Sequence, residues 1–523
     1  MSQFQFRHPP LDFQLEVLQQ SCDLAAYALF WDMGLGKTKQ FIDQAVYWYN
    51  CGKIDGVLVV APNGIHSNWD VPGEGLQKHL PVELLEKSYR LVWHSKRAKH
   101  ASTKHQLRKL YESPFPWLIM AYDAFITKDG ARVADEFLTQ RRVAFCLDEC
   151  TRVKNSAAQR TKVLKKLRLK SRYRRILTGT PAEQSPFDVY SQIDWLIPGY
   201  WREQGIGSHI AFKHHFADWR KMRAPAGHEF EVQLKDQNGR PIFKNLDQLQ
   251  AMLAPISSRL LKTDKLQLPD KVYQRVYYEL EPGQRKLYDQ MESDYAIWFE
   301  KHEGALEEYN RLLETHGDDS AEVMDFLSSP NSGLGTSAAD ISVVRQLRLH
   351  QLAMGYVTDD VGNIVEVAKP NPALELLSEL IEDLPHSAII WCRFKRDVAL
   401  VAELLGDRAV RYEGATSAED RVKGVADFQA ERKQFFIGTD AAAEGLTLTA
   451  AKTVIYYSNG RKLGKRRQSE DRAMRIGQTS SVHYLDMLAR RTISEDILDG
   501  LLFGEEISAK ALGDRIKRKW INS

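Results

Sequence analysis

At 523 residues the chain exceeds what one hydrophobic core serves and suits two or three domains. Its 43% hydrophobic and 27% charged residues are the proportions of a globular protein and exclude general disorder. With 72 basic against 69 acidic residues the net charge is +3, so any grip on a polyanion has to come from local basic clefts.

The N-terminal MSQFQFRHPPLDFQ has no apolar signal region, and no apolar run reaches the length of a membrane span. A soluble, cytoplasmic protein without membrane contact is expected. ALFWDMGLGKT (28–38) is an apolar run, a glycine-rich turn and then Lys-Thr, which opens the helically spaced stretch TKQFIDQAVYWYN (38–50). Backbone N–H groups of such a turn, with Gly34 and Gly36 in it, wrap a phosphate chain. Lys37 is suited to neutralise the outer phosphates and Thr38 to ligate Mg2+. The strict G-x-x-x-x-G-K-[ST] pattern is not met, because Trp31 stands at its first glycine.

DGVLVVAP (55–62), PWLIMAY (116–122), VAFCLDE (143–149) and RRILTGTP (174–181) are short, apolar and β-branched, as buried parallel strands are. Alternating with helical stretches, they predict an α/β fold that carries its ligands at the carboxyl ends of the strands. Asp148 and Glu149 fall at such an end. One carboxylate there can hold Mg2+ through water while the next polarises the attacking water. Cys22, Cys51, Cys146, Cys150 and Cys392 lack paired metal-site spacing, so reduced thiols, no zinc and no disulfide are expected. Further along, HEFEVQLKDQNGRPIF suggests a surface hairpin around Asn238-Gly239, residues 281–328 are helical by pattern, and SSPNSGLGTSAAD (328–340) has the composition of a mobile loop.

GLGKT, VLVVAP, DECTRVKN (148–155) and LTGTP (177–181) resemble, in order, motifs I, Ia, II and III of superfamily-two motors. The Lys-Asn after the acidic pair and the flanks of LTGTP narrow the resemblance to Swi/Snf-type DNA translocases. PPLDFQLEVL (9–18) resembles their Q-motif. SAIIWCRFKRDV (387–398), RYEGATSAEDR (411–421), FIGTDAAAEGLTLTAAKTVIYYSN (436–459) and QSEDRAMRIGQ (468–478) continue the likeness in order, from about residue 7 to about residue 500. There are departures. Cys150-Thr151 replaces the family's Ala-His, Ala442-Ala443 its motif V glycines, Thr447 its asparagine, and GRKLGKRR (460–467) its Trp-Asn-Pro. These departures, and the lack of a recognisable chromatin-reading module, suit a compact bacterial or phage member.

The resemblance implies two tandem RecA-like parallel-sheet lobes with helical insertions. Lobe 1 is expected over 1–200, a helical insertion and linker over 201–270, a helical protrusion of lobe 2 over 271–340, lobe 2 over 341–500 and a basic C-terminal helix over 501–523. It also implies ATP between the lobes, with Gln14 reading adenine, Gly34, Gly36, Lys37, Thr38 and Gly445 lining the site, Asp148 and Thr38 holding Mg2+, and Glu149 as the base. Arg472 and Arg475, three apart and so on one helical face, are the candidate arginine fingers. Thr178 and Thr180 would relay the state of lobe 1. Nucleic-acid contacts are expected from Asn63, Trp69, Lys154, Asn155, Arg393, Thr439, Lys465 and Arg466. Double-stranded DNA is the expected partner. Forks, RNA, a strand-separating helicase, an RNA-polymerase-associated ATPase and a nucleotide-switched binding module stay open as alternatives.

Overall fold

The computed structural model describes residues 6–523 apart from 64, 184, 224–228, 302–337, 359–362, 383, 414–415, 440–445, 476, 515–518 and 521–523. The chain divides into two compact units, one of residues 1–267 with 507–515, the other of residues 268–506 with 516–523.

In the first unit, β1 (Ala26–Trp31), β2 (Gly56–Ala61), β3 (Arg90–Val92), β4 (Trp117–Ala121), β5 (Val143–Asp148), β6 (Tyr173–Leu177) and β9 (Ser257–Leu260) form one sheet, ordered β3-β4-β2-β5-β6-β1-β9. Every pairing in it is parallel. The apolar runs expected as strands are strands, and their side chains feed buried clusters on both faces. β7 (Trp219–Arg223) and β8 (Glu229–Gln233) make a separate antiparallel hairpin. The turn at Asn238-Gly239 lies beyond it. There Asp236 Oδ1 accepts from the N–H groups of Asn238 (2.8 Å) and Arg240 (2.9 Å).

The second unit repeats the plan. β10 (Lys271–Tyr278), β13 (Ala388–Cys392), β14 (Ala409–Tyr412), β15 (Phe435–Thr439), β16 (Thr453–Tyr456), β17 (Val482–Ala489) and β18 (Lys519–Trp520) order as β14-β15-β13-β16-β17-β10-β18, again all parallel. A small antiparallel pair, β11 (Tyr356–Thr358) and β12 (Ile364–Glu366), stands apart from the sheet.

The boundaries fall differently from those expected. The insertion helices His209–Phe216 and Leu246–Leu253 bury Phe212, Phe216, Leu249 and Leu253 in the first unit's core. Residues 271–278 are a sheet strand of the second unit, not the start of a helical protrusion. The basic tail is not a helix over 501–523. Helix Ile493–Leu512 ends first, and Lys519–Trp520 then pairs with β10. Trp520 and Tyr273 are register partners there, so sheet pairing takes the place of the helix. The Ser/Gly-rich stretch lies outside the described residues from 328 to 337.

One buried cation sets the geometry around the first strand ends. Arg175 on β6 donates to Gln44 (2.8 Å), to the Ser21 carbonyl (2.8 Å) and to the Leu24 carbonyl (2.9 Å), and its guanidinium lies 4.6 Å over the Trp48 ring. It thereby locks helix Asp12–Ser21, which carries Gln14, to helix Lys37–Asn50, which carries Lys37 and Thr38. Burial lowers its pKa to about 9, and hydrogen bonding on every side keeps the charge tolerable there.

Candidate active site

β1 ends at Trp31, which is fully buried and donates its indole N–H to Ser258 (2.8 Å). The phosphate-loop candidate therefore begins at Asp32. A core strand residue occupies what the strict pattern gives to glycine. Gly34 and Gly36 take the left-handed backbone at φ +87° and +84°, which L side chains rarely adopt. Helix Lys37–Asn50 follows at once. Successive N–H groups at a helix N-terminus behind such glycines form an anion cradle. The Lys37 ammonium lies back over this loop, donating to the Trp31 carbonyl (2.8 Å) and approaching that of Asp32 (3.4 Å). Thr38 is half-buried beside it.

Gln14 comes to the same place. Its side-chain amide donates to the Leu35 carbonyl (2.9 Å), while its Oε1 accepts from the N–H of the N-cap residue Leu11 (3.0 Å). A Cβ at Gly36 would meet the Gln14 Nε2, so the glutamine amide packs directly on this glycine.

β5 delivers the two carboxylates. Trp69 donates its indole N–H to Asp148 Oδ2 (2.9 Å), and Tyr122 OH donates to the Asp148 carbonyl (2.8 Å). Loss of solvation, with the adjacent Glu149 charge, raises the Asp148 carboxyl above the ordinary carboxylate range, against the Trp69 hydrogen bond and the charge of Lys37. A Cβ at Gly179, beside Thr178, would stand 3.3 Å from the Trp31 carbonyl to which Lys37 donates, which brings the glycine loop and the end of β6 to one spot. Glu149 is left-handed (φ +48°), uncommon for a non-glycine residue, and its carboxylate accepts from Thr178 Oγ1 (3.1 Å). Thr178 Oγ1 also accepts from the Thr180 N–H (3.2 Å). Thr178, one of the two threonines expected to relay the state of lobe 1, is thus hydrogen-bonded to Glu149, a contact no spacing disclosed. Cys150, at the family's alanine position, is buried and contacts Gln192 Oε1 (2.9 Å).

These residues fit a nucleotide with Mg2+. The loop offers the backbone N–H groups of a helix N-terminus and a lysine, and Thr38 and Asp148 offer the hard oxygen ligands that Mg2+ takes.

The expected nucleic-acid contacts separate. Trp69 is a correction: it is 3% exposed, packs edge-on against Phe41 and supports Asp148, so it has no face for DNA. Asn63 is exposed. Lys154 faces Glu183 (3.5 Å) and Asp188 (3.8 Å), and Asn155 Oδ1 accepts from the Ala157 N–H (2.8 Å).

In the second unit, Arg393 is half-buried over the Phe394 ring and Thr439 is half-buried at the end of β15. Gly445 lies outside the described residues. Arg466 is the second correction. It is 4% exposed, pairs with Asp486 (2.5 Å) and Glu470 (2.9 Å), donates to Asn459 and lies 3.4 Å over Tyr456. Glu470 also accepts from Tyr273 OH (2.8 Å) and pairs with Lys271 (3.1 Å), joining β10 to helix Leu463–Ala473. Arg466 is a structural cation, and Lys465 is half-buried beside it. Arg466→Met should therefore destabilise the second unit by about 3–5 kcal/mol, because two carboxylates lose their buried counter-charge. A denaturant melt measures this. An unchanged midpoint with weakened DNA binding would return Arg466 to phosphate contact.

Arg472 and Arg475 do not share a helical face, since the helix ends at Ala473. They converge nonetheless, because both donate to the Leu446 carbonyl (3.0 and 3.1 Å). Arg475 also donates to Thr447 Oγ1 (2.6 Å), the residue that replaces the family's asparagine. Arg472 is 3% exposed, whereas Arg475 is half-buried with solvent access.

Residues 17–327 match the sequence profile of the SNF2-related domain, and residues 372–477 that of the helicase conserved C-terminal domain. The chain belongs to the SNF2-related family. It is thus a helicase-like ATPase of superfamily two by descent. The human DNA annealing helicase and endonuclease ZRANB3 is 25% identical over 90% of this SNF2-related chain and 37% of its own length. The chromatin structure-remodeling complex subunit snf21 of Schizosaccharomyces pombe is 25% identical, over 92% and 37%. An uncharacterized ATP-dependent helicase of Mycoplasma genitalium, MG018, is 22% identical, over 92% and 40%. The SNF2-related chain thus spans well under half the length of these relatives. The SWI2/SNF2 ATPase core of Sulfolobus solfataricus in complex with dsDNA aligns at 21% identity and a TM-score of 0.40, covering 98% of this chain and 99% of that one. Among the described residues no helix is long and apolar enough to cross a membrane, and the five cysteines are free thiols.

Proposed function

We propose that this chain hydrolyses ATP in response to duplex DNA and uses the cycle to move along the duplex. The observation that carries the reading is the meeting of Lys37, Asp148, Glu149 and Thr178 around the left-handed glycine loop. DNA as the track is supported by relatives named a DNA annealing helicase and a chromatin remodelling subunit.

In this reading Lys37 and the loop N–H groups hold the phosphates, and Gln14 turns its amide from the Leu35 carbonyl to the adenine. Thr38 and Asp148 would hold Mg2+, which would supply charge neutralisation at the outer phosphates. Glu149 takes a proton from the water that attacks the γ-phosphorus, and the bond to the β-phosphate oxygen breaks to leave ADP and phosphate. Arg475 of the second unit stabilises the charge that builds on the equatorial oxygens. ATP then sits between the units, and closure and reopening shift the grip on DNA. Asn63, Lys154, Asn155, Arg393, Thr439 and Lys465 are the proposed phosphate-backbone contacts, Lys154 exchanging its carboxylate partners for DNA.

The test pairs displacement of a third strand from a triplex with unwinding of a tailed duplex, on one preparation. ATP-dependent triplex displacement with little unwinding is expected. Efficient unwinding of a long tailed duplex without triplex displacement would overturn translocation in favour of a strand-separating helicase. Stronger stimulation by RNA than by duplex would favour an RNA-directed ATPase.

A further inference from the structure

Between Glu86 and Glu112 the chain has no acidic residue, although it carries eight lysines and arginines there, with three histidines. The whole chain is only +3, so this excess is local. It lies at one edge of the first unit, since β3 is the outer strand of the sheet. The carboxyl end of β3 leads into the short turn Ser95–Arg97 and then into helix Ala101–Glu112. That helix buries Thr103 and Leu110 and half-buries Leu107, the spacing of a face laid on a core. The Arg97 carbonyl accepts from Thr103 Oγ1 (2.7 Å) and from the His100 N–H (3.0 Å), which folds the turn onto the start of the helix.

Lys96, Arg97, Lys99, Lys104, Arg108 and Lys109 are left exposed on the outer side. Among the described residues none of the six has an ion-pair partner or a side-chain hydrogen bond. Other exposed cations of the same unit are matched, Arg132 to Glu136, Arg142 to Asp55 and Lys170 to Asp135. The unmatched arrangement works against the helix that carries it. Lys104 and Arg108 stand four apart, as do His105 and Lys109, and like charges at that spacing repel. The first turn has no acidic residue, although a helix N-terminus favours one. A face that serves only solvation interleaves its signs, whereas one sign throughout suits a polyanion.

The basic edge adjoins a segment already read as a DNA contact. The His94 ring meets the His66 ring edge-on at 5.7 Å, and Arg90 on β3 donates to Asp70 Oδ1 (2.8 Å). His66 and Asp70 bound the turn that follows the exposed Asn63. Cations and Asn63 therefore belong to one continuous surface of the first unit.

We propose that the exposed face of residues 96–109 is a further phosphate-backbone contact, holding the same duplex beyond Asn63. This rests on the reading that duplex DNA is the track, and it extends the grip to residues outside every motif. The twelve-residue helix is about 18 Å long, and a duplex carries one charge per about 1.7 Å of its axis. Several phosphates thus fall within the span of the six cations.

The test is equilibrium binding of the full chain to blunt duplexes of increasing length, over a range of salt and without nucleotide. One variant combines Lys104→Gln, Arg108→Gln and Lys109→Gln, which keeps helix-forming side chains and removes charge. Its slope of log affinity against log salt should flatten by about 0.9 for each lost contact. Its affinity for a long duplex should fall by about tenfold or more, and for a short duplex by clearly less. ATP hydrolysis without nucleic acid should be unchanged. A control combining Arg132→Gln, Arg142→Gln and Lys170→Gln removes the same charge from matched positions and should keep the wild-type slope. A thermal melt identifies a variant that fails to fold, and Lys96→Gln with Lys99→Gln then takes its place. An unchanged slope, with duplex bound by the wild type, would overturn the proposal and leave the DNA reading intact. Equal losses in the control would overturn it too, since a general field does not depend on position, and so would a loss that is the same at every length. A loss confined to RNA or to anionic vesicles would assign the face to another polyanion and overturn it. No duplex binding by the wild-type chain would remove the DNA reading, and the proposal with it.

Discussion

Arg475→Ala is expected to lower ATP turnover by about a thousandfold or more while leaving ATP affinity within a few-fold. An arginine that meets charge only as it develops in the transition state contributes little to ground-state binding. The structure distinguishes this residue from its neighbour. Arg472 is 3% exposed and held on the Leu446 carbonyl, so its loss should show as a disturbed motif V segment and a lower melting temperature. Arg475 shares that carbonyl but keeps solvent access, and it can leave Leu446 and Thr447 for a phosphate. Steady-state kinetics beside a melt of both variants separates the two roles. A normal turnover number for Arg475→Ala would remove the arginine finger from the account.

Glu149→Gln is expected to bind ATP normally and to lose turnover by about a hundredfold to ten-thousandfold, the range associated with a general base. The amide keeps a carbonyl oxygen to accept the Thr178 hydroxyl, so the left-handed turn at 149 should survive. What is lost is the basic oxygen. Lys37→Ala should behave in the opposite sense and lose nucleotide grip, because Lys37 meets phosphates already present in the ground state. Single-turnover phosphate release beside equilibrium binding reads the contrast. Near-normal turnover in Glu149→Gln would assign the base elsewhere.

Much of this was legible in the sequence, for physical reasons. The glycine loop declares itself because only glycine tolerates φ near +85° at Gly34 and Gly36, and the helix that must follow opens at Lys37. The strands of the first unit declare themselves because both faces are covered, which makes each one a continuous apolar run. Signals that rest on distant partners were not legible. Arg466 stands in a run of basic residues that looks like a solvated or DNA-facing surface. Nothing at 461–467 shows that Asp486 waits on β17 to bury it. Trp69 closes the motif Ia segment expected to contact phosphates, yet its N–H is spent on Asp148. β9, with the sequence Ser-Ser-Arg-Leu, lacks an apolar run because it is an edge strand, and its neighbour β1 supplies the core. The tail misleads for a similar reason, since the basic segment DRIKRKWINS reads as a helix until sheet pairing at Lys519–Trp520 claims it.

If duplex DNA drives ATP hydrolysis at the Lys37–Asp148–Glu149 site, phosphate release must depend on both the duplex and Glu149. The most direct measurement is the rate of phosphate release by the wild-type chain with no nucleic acid, with duplex DNA, with single strands and with RNA, each repeated with Glu149→Gln. The account predicts a low basal rate, the largest stimulation by duplex DNA, and loss of that stimulated rate in the variant. A rate indifferent to duplex DNA, or one that persists in Glu149→Gln, would contradict it.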